Sequence, residues 1–224
     1  MEHELIDRLA RDATPVRPLA LPSKRLARWT VATALCLAAS VAWVEVRHDL
    51  AASMRTMSFL VQAGLLLVTA LLSAAAALVV GVPGASSSRT VRWLPLIATA
   101  TWAAWLVAAI VAQPEVSRVW WPAAAPHCAL DVTLLGLVPG FLIWSLVRRA
   151  APLRPGWTGL LATLTAASVG ALGTHLVCPN GDAAHLLVWH FVPVALLAAA
   201  GIQLGLRLLH WPLQPLPPTS APHL

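Results

Sequence analysis

The sequence predicts an all-α, polytopic membrane protein, a bundle of six transmembrane helices with its N and C termini in the cytoplasm. Hydrophobic residues make up 58% of the 224-residue chain and charged residues only 11%, whereas a soluble domain has about 25% charged residues. The apolar residues form six runs, each long enough to cross a hydrocarbon core about 30 Å thick. Most basic residues lie on one side of these runs, and basic loops stay in the cytoplasm.

The six predicted spans are separated by stretches rich in proline and glycine. Because backbone amides in lipid must be bonded within their own segment, we expect each run to be a helix. The predicted spans are residues 27–46, 57–80, 93–112, 128–147, 156–177 and 185–210. Small residues could let helices approach closely at 73–77, 98–104 and 195–201.

The basic residues set the predicted orientation and limit the partners. Only Arg47, Arg55 and Arg118 lie in the gaps assigned to the outer side. The other basic residues flank the inner ends of the spans and fit contacts to anionic membrane lipids. Since they do not form one continuous patch, we expect no direct contact with nucleic acid.

The chain divides into three regions. Residues 1–26 form a cytoplasmic N-terminal segment, residues 27–211 the transmembrane domain, and the Pro-rich residues 212–224 a tail expected to be disordered. The N-terminal segment begins with a predicted short helix that has Leu5, Ile6 and Leu9 on one face, followed by a Pro-containing extended arm up to Lys24.

An isolated helix of this length is marginal in water. It would gain order by placing its apolar face in a groove of a partner protein. The alternatives are a helix that lies on the membrane surface and a frayed leader.

Potential metal ligands gather at the predicted outer ends of spans four, five and six. Cys128 and Asp131 are three residues apart, as are His175 and Cys178, so each pair is expected to share a helical face. His185 and His190 are five apart and are not expected to share one. The whole set is Cys128, Cys178, His127, Asp131, His175, Asp182, His185 and His190.

Two thiols on an oxidising side of a membrane can form a disulfide, or they can bind a soft metal together with imidazoles. The candidate ligands of a Zn(II) or Cu(I) ion are Cys128, Cys178, His175, His185 and His190, with His127 as a further possibility. The simpler alternative is that the cysteines are small buried apolar residues, as Cys36 in the middle of span one is expected to be.

The sequence offers little support for an enzyme or a transporter. It contains no His-Glu-x-x-His, no Gly-x-Ser-x-Gly and no P-loop motif. Transporters usually place ionisable groups near the middle of the membrane, and the centres of these spans carry only Thr, Ser, Gln62 and Cys36 as candidates. A small metal or solute transporter and an intramembrane thiol redox enzyme remain as alternatives.

Several short segments, spread over nearly the whole chain, resemble NrsF-like bacterial membrane proteins. They are residues 3–10 (HELIDRLA), 14–19 (TPVRPL) and 151–155 (APLRP), the single Cys128 at the start of span four, and Cys178-Pro179 followed by Val188-Trp189-His190.

The resemblance implies an anti-sigma factor that is not an enzyme. Such proteins hold an extracytoplasmic-function sigma factor at the bacterial inner membrane and release it under metal or oxidative stress. The family's paired periplasmic cysteines would be Cys128 and Cys178, and this sequence adds His185 and His190. No obligatory cofactor is implied, and a Cu or Zn ion would act as a signal. The expected contacts with the sigma factor are Leu5, Ile6, Leu9, Val16 and Leu19.

Overall fold

The computed structural model describes residues 2–12, 18–82, 89–112 and 126–209, and these ranges contain helices and no strands. Six segments are long and apolar enough to cross a membrane, which confirms the predicted six-helix bundle. Which end faces the cytoplasm stays a prediction. The tail at 212–224 lies outside the described residues. The elements are α1 (Glu2–Asp12), α2 (Pro22–Val44), α3 (Leu50–Ser53), α4 (Met57–Val80), α5 (Arg89–Ala112), α6 (Pro126–Arg148), α7 (Pro155–Val177), α8 (Ala183–Leu186), a π-helix (Leu187–Phe191) and α9 (Val192–Leu208).

Proline sets the start of the first and fifth spans. α2 begins at Pro22 and α7 at Pro155, both at the start of the first turn. Proline is favoured there because its fixed φ suits a helix and its missing N–H would have no helical partner. Lys24 therefore belongs to the first turn of α2, and the prediction of an extended arm up to Lys24 is wrong for residues from Pro22 onward.

Helix α7 is the centre of the bundle and packs against α4, α6 and α9. Two of these contacts depend on glycine. A Cβ atom at Gly170 would overlap the carbonyl oxygen of Val132 on α6, and one at Gly159 would overlap the carbonyl oxygen of Gly201 on α9. Helices in lipid associate through such close packing, because lipid tails already solvate apolar side chains. These contacts fix the position of α6, which carries Cys128, and of α9, which follows the short helical segments that carry His185 and His190.

Helix α2 lies at the edge of the bundle and is held by polar contacts. The Trp29 indole Nε1 donates a hydrogen bond to the carbonyl oxygen of Pro139 on α6 at 3.1 Å, and the Arg25 guanidinium donates to the carbonyl oxygen of Leu146. In the most apolar 18-residue stretch of each helix, only 17% of the residues of α2 are buried, compared with 67% of those of α7. The helix that follows the N-terminal segment is therefore the more loosely packed of the two.

Candidate functional site: a buried cysteine and histidine cluster

The two predicted cysteines meet at one end of the bundle. Cys128 lies in the first turn of α6, and Cys178 follows the last residue of α7. Their Sγ atoms are 3.6 Å apart, both residues are buried, and both thiols are free. Since α6 and α7 are antiparallel neighbours joined by a short connection, the start of one helix and the end of the other are brought together.

Two histidines complete the cluster. The Nε2 atom of His185 is 3.4 Å from the Sγ atom of Cys178, and the His185 and His190 rings are 5.6 Å apart in an edge-to-face arrangement. All four residues are buried, and each offers a ligand atom within 4.8 Å of the others. We call Cys128, Cys178, His185 and His190 the Cys–His cluster.

The prediction that His185 and His190 point in different directions is wrong, because the last span is not a regular α-helix. Between them the chain forms a π-helix, in which the Val192 amide donates to the carbonyl oxygen of Leu187 five residues back. This wider turn brings residues five apart onto one side. Pro193, two residues beyond the end of the π-helix, has no N–H to continue a regular α-helical pattern.

A short turn between α7 and α8 positions the ligands on either side of it. The Asp182 carboxylate accepts a hydrogen bond from the His185 amide at 3.4 Å and so caps α8. The Asn180 side-chain oxygen accepts a bond from the Asp182 amide at 2.9 Å. Asp182, which the sequence groups with the candidate ligands, acts here as a helix cap.

The cluster places unsatisfied polar atoms in a buried site. His190 is only 1% exposed, and neither of its ring nitrogens has a hydrogen-bond partner among the described residues. An unpaired buried polar group is costly. At Cys178, the Cys128 thiol and the His185 imidazole favour the thiolate through hydrogen bonds and lower the pKa of that thiol. A thiolate is the form that binds metals and reacts with oxidants.

Two of the distances between ligand atoms are close to those of a tetrahedral metal site. Zinc bonds of about 2.3 Å to sulfur and about 2.0–2.1 Å to nitrogen imply edges of about 3.8 Å between two sulfurs and about 3.6 Å between sulfur and nitrogen. The corresponding distances here are 3.6 Å and 3.4 Å. Two cysteines and two histidines form a ligand set suited to Zn(II), and their soft sulfur donors also suit Cu(I).

The structure does not bring His175 into this cluster. The helical pattern that would place His175 beside Cys178 stops at Val177, and Cys178 itself has an extended conformation (φ −71°, ψ 121°). The His175 ring stacks on Phe59 of α4 with centroids 4.4 Å apart. It lines a separate polar cavity of about 90 Å³, shared with Arg47 and Gln62. Its Nε2 atom is buried without a partner among the described residues.

Asp131 and His127 also lie outside the four-residue group, although both are on α6 near Cys128. Asp131 is half-buried one turn farther along the helix, and His127 is exposed.

Arg47 contacts the cysteine loop, a role that sequence reasoning missed. Its side chain is 5% exposed and forms two hydrogen bonds with Asp49, at 2.6 and 2.7 Å. This pairing lowers the pKa of Asp49 to about 2. Arg47 also donates to the carbonyl oxygens of Leu176 and Pro179, which lie on either side of Cys178 in sequence. The sequence contains an indication of this role. Arg47 lies on the predicted outer side, where basic residues are rare, and Asp49 follows two residues later.

The structure describes only part of the predicted sigma-factor contact in the N-terminal segment. The 11-residue helix α1 is present as predicted, and Ile6 and Leu19 are 59% and 45% exposed. The Leu5 and Leu9 side chains and all of Val16 lie outside the described residues. The predicted role of these five residues is therefore not tested by the structure.

Comparison with known proteins identifies the family. Residues 9–211 match the family described as NrsF, negative regulator of sigma F. The chain is also 30% identical over 211 residues to a protein of Azospira oryzae named "Probable anti-sigma-F factor NrsF", an alignment that covers 93% of this chain and 98% of that protein. No solved structure matches the chain. The chain thus belongs to the NrsF family of negative regulators of sigma F.

Proposed function

We propose that this chain holds an extracytoplasmic-function sigma factor at the bacterial inner membrane and releases it when the outer-side Cys128 and Cys178 sense metal or oxidative stress. Membership of a family of negative regulators supports the sigma factor as partner. Six apolar helices support attachment to a membrane. The observation that carries the sensing proposal is the Cys–His cluster, in which four buried metal-binding side chains converge.

The cluster can respond to two kinds of signal. A Zn(II) or Cu(I) ion would be bound by the two thiolates and two neutral imidazoles, with loss of the thiol protons. An oxidant would instead take two electrons from Cys128 and Cys178, which release two protons and form a disulfide. The sulfur separation of 3.6 Å makes this second reaction possible with little movement. Both signals replace the non-covalent contact between the two sulfur atoms with bonds: metal–ligand bonds in the first case and a disulfide in the second.

The signal must favour one state of the protein over another. A bound metal or a disulfide releases the sigma factor only if it stabilises the releasing state more than the holding state. A switch from about 1% to about 99% release needs a difference of about 5.5 kcal/mol.

The N-terminal segment is the proposed contact with the sigma factor. Ile6 and Leu19 are exposed, and the 11 residues of α1 are too few for a stable isolated helix. Binding would place Leu5, Ile6 and Leu9 in a groove of the sigma factor, with Val16 and Leu19 extending the contact. Such a helix-in-groove contact gives affinity through apolar side chains at helical spacing.

The sensing proposal is tested by replacing Cys128 and Cys178 with serine. Membranes with the wild-type or variant chain and its co-expressed sigma factor are treated with Zn(II), Cu(I) or a thiol oxidant, and the retained sigma factor is measured. We expect release from wild type and retention by the double variant. Cys36→Ser is the matched control, because Cys36 lies away from the cluster on α2. Normal release from the double variant would rule out cysteine sensing.

The partner proposal is tested by changing Leu5, Ile6 and Leu9 to aspartate. We expect these three changes to abolish capture of the sigma factor while the chain still accumulates in the membrane. Ala10→Asp adds a charge at an exposed position of the same helix and serves as the control. Unchanged capture by the triple variant would exclude α1 as the contact.

A further inference from the structure

We propose that Arg47 is a positioning residue that ties the loop carrying Cys178 to the outer end of α2, and that through this tie a change at the Cys–His cluster moves the helix leading to the N-terminal segment. This inference rests on the proposed function, because it describes how the sensing site would reach the sigma-factor contact.

The first support is the set of bonds that Arg47 makes around Cys178. Its amide donates to the Leu176 carbonyl oxygen at 3.3 Å, and its Nη2 atom donates to the Pro179 carbonyl oxygen at 2.9 Å. The chain is therefore held on both sides of Cys178 by one residue from a different part of the sequence. A shift of Cys178 toward a metal ion or toward Cys128 would pull on both bonds.

The second support is that the Arg47 side chain is itself held in place by Asp49. Asp49 binds the Arg47 guanidinium through both carboxylate oxygens, at 2.6 and 2.7 Å, and accepts a further bond from the Ser53 hydroxyl at 3.3 Å. A planar guanidinium held at two points has little freedom to rotate. Since the side chain cannot simply swing away, a displacement of the loop is passed to the Arg47 backbone.

The third support is the short connection to α2. This helix ends at Val44, so only Glu45 and Val46 separate it from Arg47. Glu45 has a backbone φ of 72°, a value that residues other than glycine rarely adopt. Such a conformation persists only where the surrounding structure holds it. The connection is therefore too short and too constrained to absorb a movement of the loop.

The fourth support is the difference in packing between the two helices that Arg47 joins. α7 is the buried centre of the bundle, whereas α2 is at its edge. Only 17% of the residues in the most apolar stretch of α2 are buried. A force applied between them would move α2 more easily. Residues 18–21 of the N-terminal segment lead directly into α2, so a shift of α2 changes the position of Leu19 in the proposed sigma-factor contact.

The test separates sensing from transmission. Arg47→Met keeps the length of the side chain and removes its bonds to Asp49 and Pro179, while all four cluster residues remain. The control is Arg55→Met, which removes an exposed positive charge from the same connecting segment. Arg47→Lys keeps the charge without the two-point geometry and should give an intermediate result.

Two quantities are measured on the full-length chain in membranes. The first is the rate at which a maleimide labels Cys178, with and without Zn(II). The second is the Zn(II) concentration that releases half of the bound sigma factor. For Arg47→Met we expect labelling several-fold faster than wild type, protection by Zn(II) retained, and the half-release concentration raised about tenfold, in the range of typical allosteric coupling. Arg55→Met should match wild type in both.

Each outcome decides one claim. If Arg47→Met releases sigma factor at the wild-type Zn(II) concentration, the tie does not transmit the signal and the inference is overturned. If wild type retains no sigma factor at all, the proposed function fails, and equal labelling of Cys178 in Arg47→Met and Arg55→Met would then overturn the tie as well. If Arg47→Met does not accumulate, Asp49→Asn replaces it under the same criteria, because it removes the partner that fixes the guanidinium.

Discussion

Helices α7 and α2 both end beside Cys178, but they are built in opposite ways. α7 is held by close backbone contacts at Gly159 and Gly170, where even a methyl group would not fit. α2 is joined to its neighbours by the packing of Trp29 and Leu37 and by hydrogen bonds from Trp29 and Arg25. Arg47, three residues beyond the end of α2, adds hydrogen bonds of its own. The first mode tolerates almost no displacement, whereas the second can yield one bond at a time.

This difference suits a division of roles between a fixed frame and a movable element. Interhelical hydrogen bonds in membranes contribute on average about 0.6 kcal/mol each, so a signal of a few kcal/mol is sufficient to rearrange α2. The close backbone contacts at Gly159 and Gly170, by contrast, are lost only if two helices move apart. The two cysteines of the Cys–His cluster, which is the proposed sensing site, lie at the ends of α6 and α7. The N-terminal segment is attached to α2, which we expect to move more easily.

The largest expected effect comes from disturbing the frame. Gly170→Ala would place a Cβ atom against the carbonyl oxygen of Val132, and α6 would have to move away. We expect a loss at the upper end of the about 1–3 kcal/mol typical of overpacking, measured as the midpoint of thermal unfolding in detergent.

Gly64→Ala is the matched control for this prediction. Gly64 lies in α4 with open space around its Cβ position. Alanine is favoured over glycine in a helix by about 1 kcal/mol, so this change should be neutral or stabilising. Equal effects of the two substitutions would show that the contact between α6 and α7 is not close.

The second prediction concerns the reactivity of Cys178 at the end of the frame. Hydrogen bonds from Cys128 and His185 lower its pKa, so the thiolate persists to a lower pH than that of an ordinary thiol and is lost as the pH falls through the lowered pKa. We expect the rate of alkylation of Cys178 by iodoacetamide, followed by mass spectrometry, to change little between pH 6 and pH 8. An ordinary thiol with a pKa of about 8.5 would react many times faster at the higher pH.

Cys128→Ala removes the first of these hydrogen bonds and should make the pH profile of Cys178 steeper. A profile that is already steep in the wild-type chain would contradict the lowered pKa. Cys128→Ser, which keeps a hydrogen-bond donor, should stay closer to wild type.

The third prediction loosens the movable helix alone. Trp29→Phe removes the hydrogen bond to the Pro139 carbonyl oxygen and keeps most of the buried ring. We expect a loss of about 1 kcal/mol in unfolding free energy and a lower Zn(II) concentration for release of the sigma factor. Trp43→Phe is the control on the same helix, because Trp43 is 89% exposed. Release unchanged by Trp29→Phe would argue against movement of α2 relative to α6.

The sequence predicts the number of helices well but not how they pack. Span length is set by membrane thickness, so hydropathy alone finds all six. Of the small-residue stretches, residues 73–77 are largely buried as expected and Gly201 contacts α7, but in residues 98–104 only Trp102 is buried. Whether a small residue meets another helix depends on how each helix is rotated and on which helices are neighbours, and neither follows from composition.

The site is partly predictable for the same reason. Orientation of the spans places the cysteines and histidines at one end, and this grouping needs no knowledge of side-chain direction. Which ligands converge depends on local backbone geometry. Regular helical spacing selects His175 and rejects the pairing of His185 with His190, whereas the extended conformation at Cys178 and the π-helix at 187–191 reverse both choices. Pro193 was the available signal that the last span could not be a regular helix.

The smallest expected effects test the connections of the two helices. Among the described residues, Ala151, which joins α6 to α7, and Glu45, which joins α2 to Arg47, have φ values of 51° and 72° without being glycine. Replacing either with glycine removes the steric strain but adds freedom to the unfolded chain. We expect Ala151→Gly to change the unfolding free energy by less than about 1 kcal/mol and to leave signalling unchanged.

Glu45→Gly should have a similarly small effect on stability, because the same two contributions oppose each other. Its effect on signalling should differ, since a flexible residue between α2 and Arg47 can absorb movement of the Cys178 loop. The Zn(II) concentration needed for half-release of the sigma factor should therefore rise in Glu45→Gly and not in Ala151→Gly. Identical responses would mean that strain at Glu45 serves only to complete the fold, and that the signal leaves the cluster through the frame.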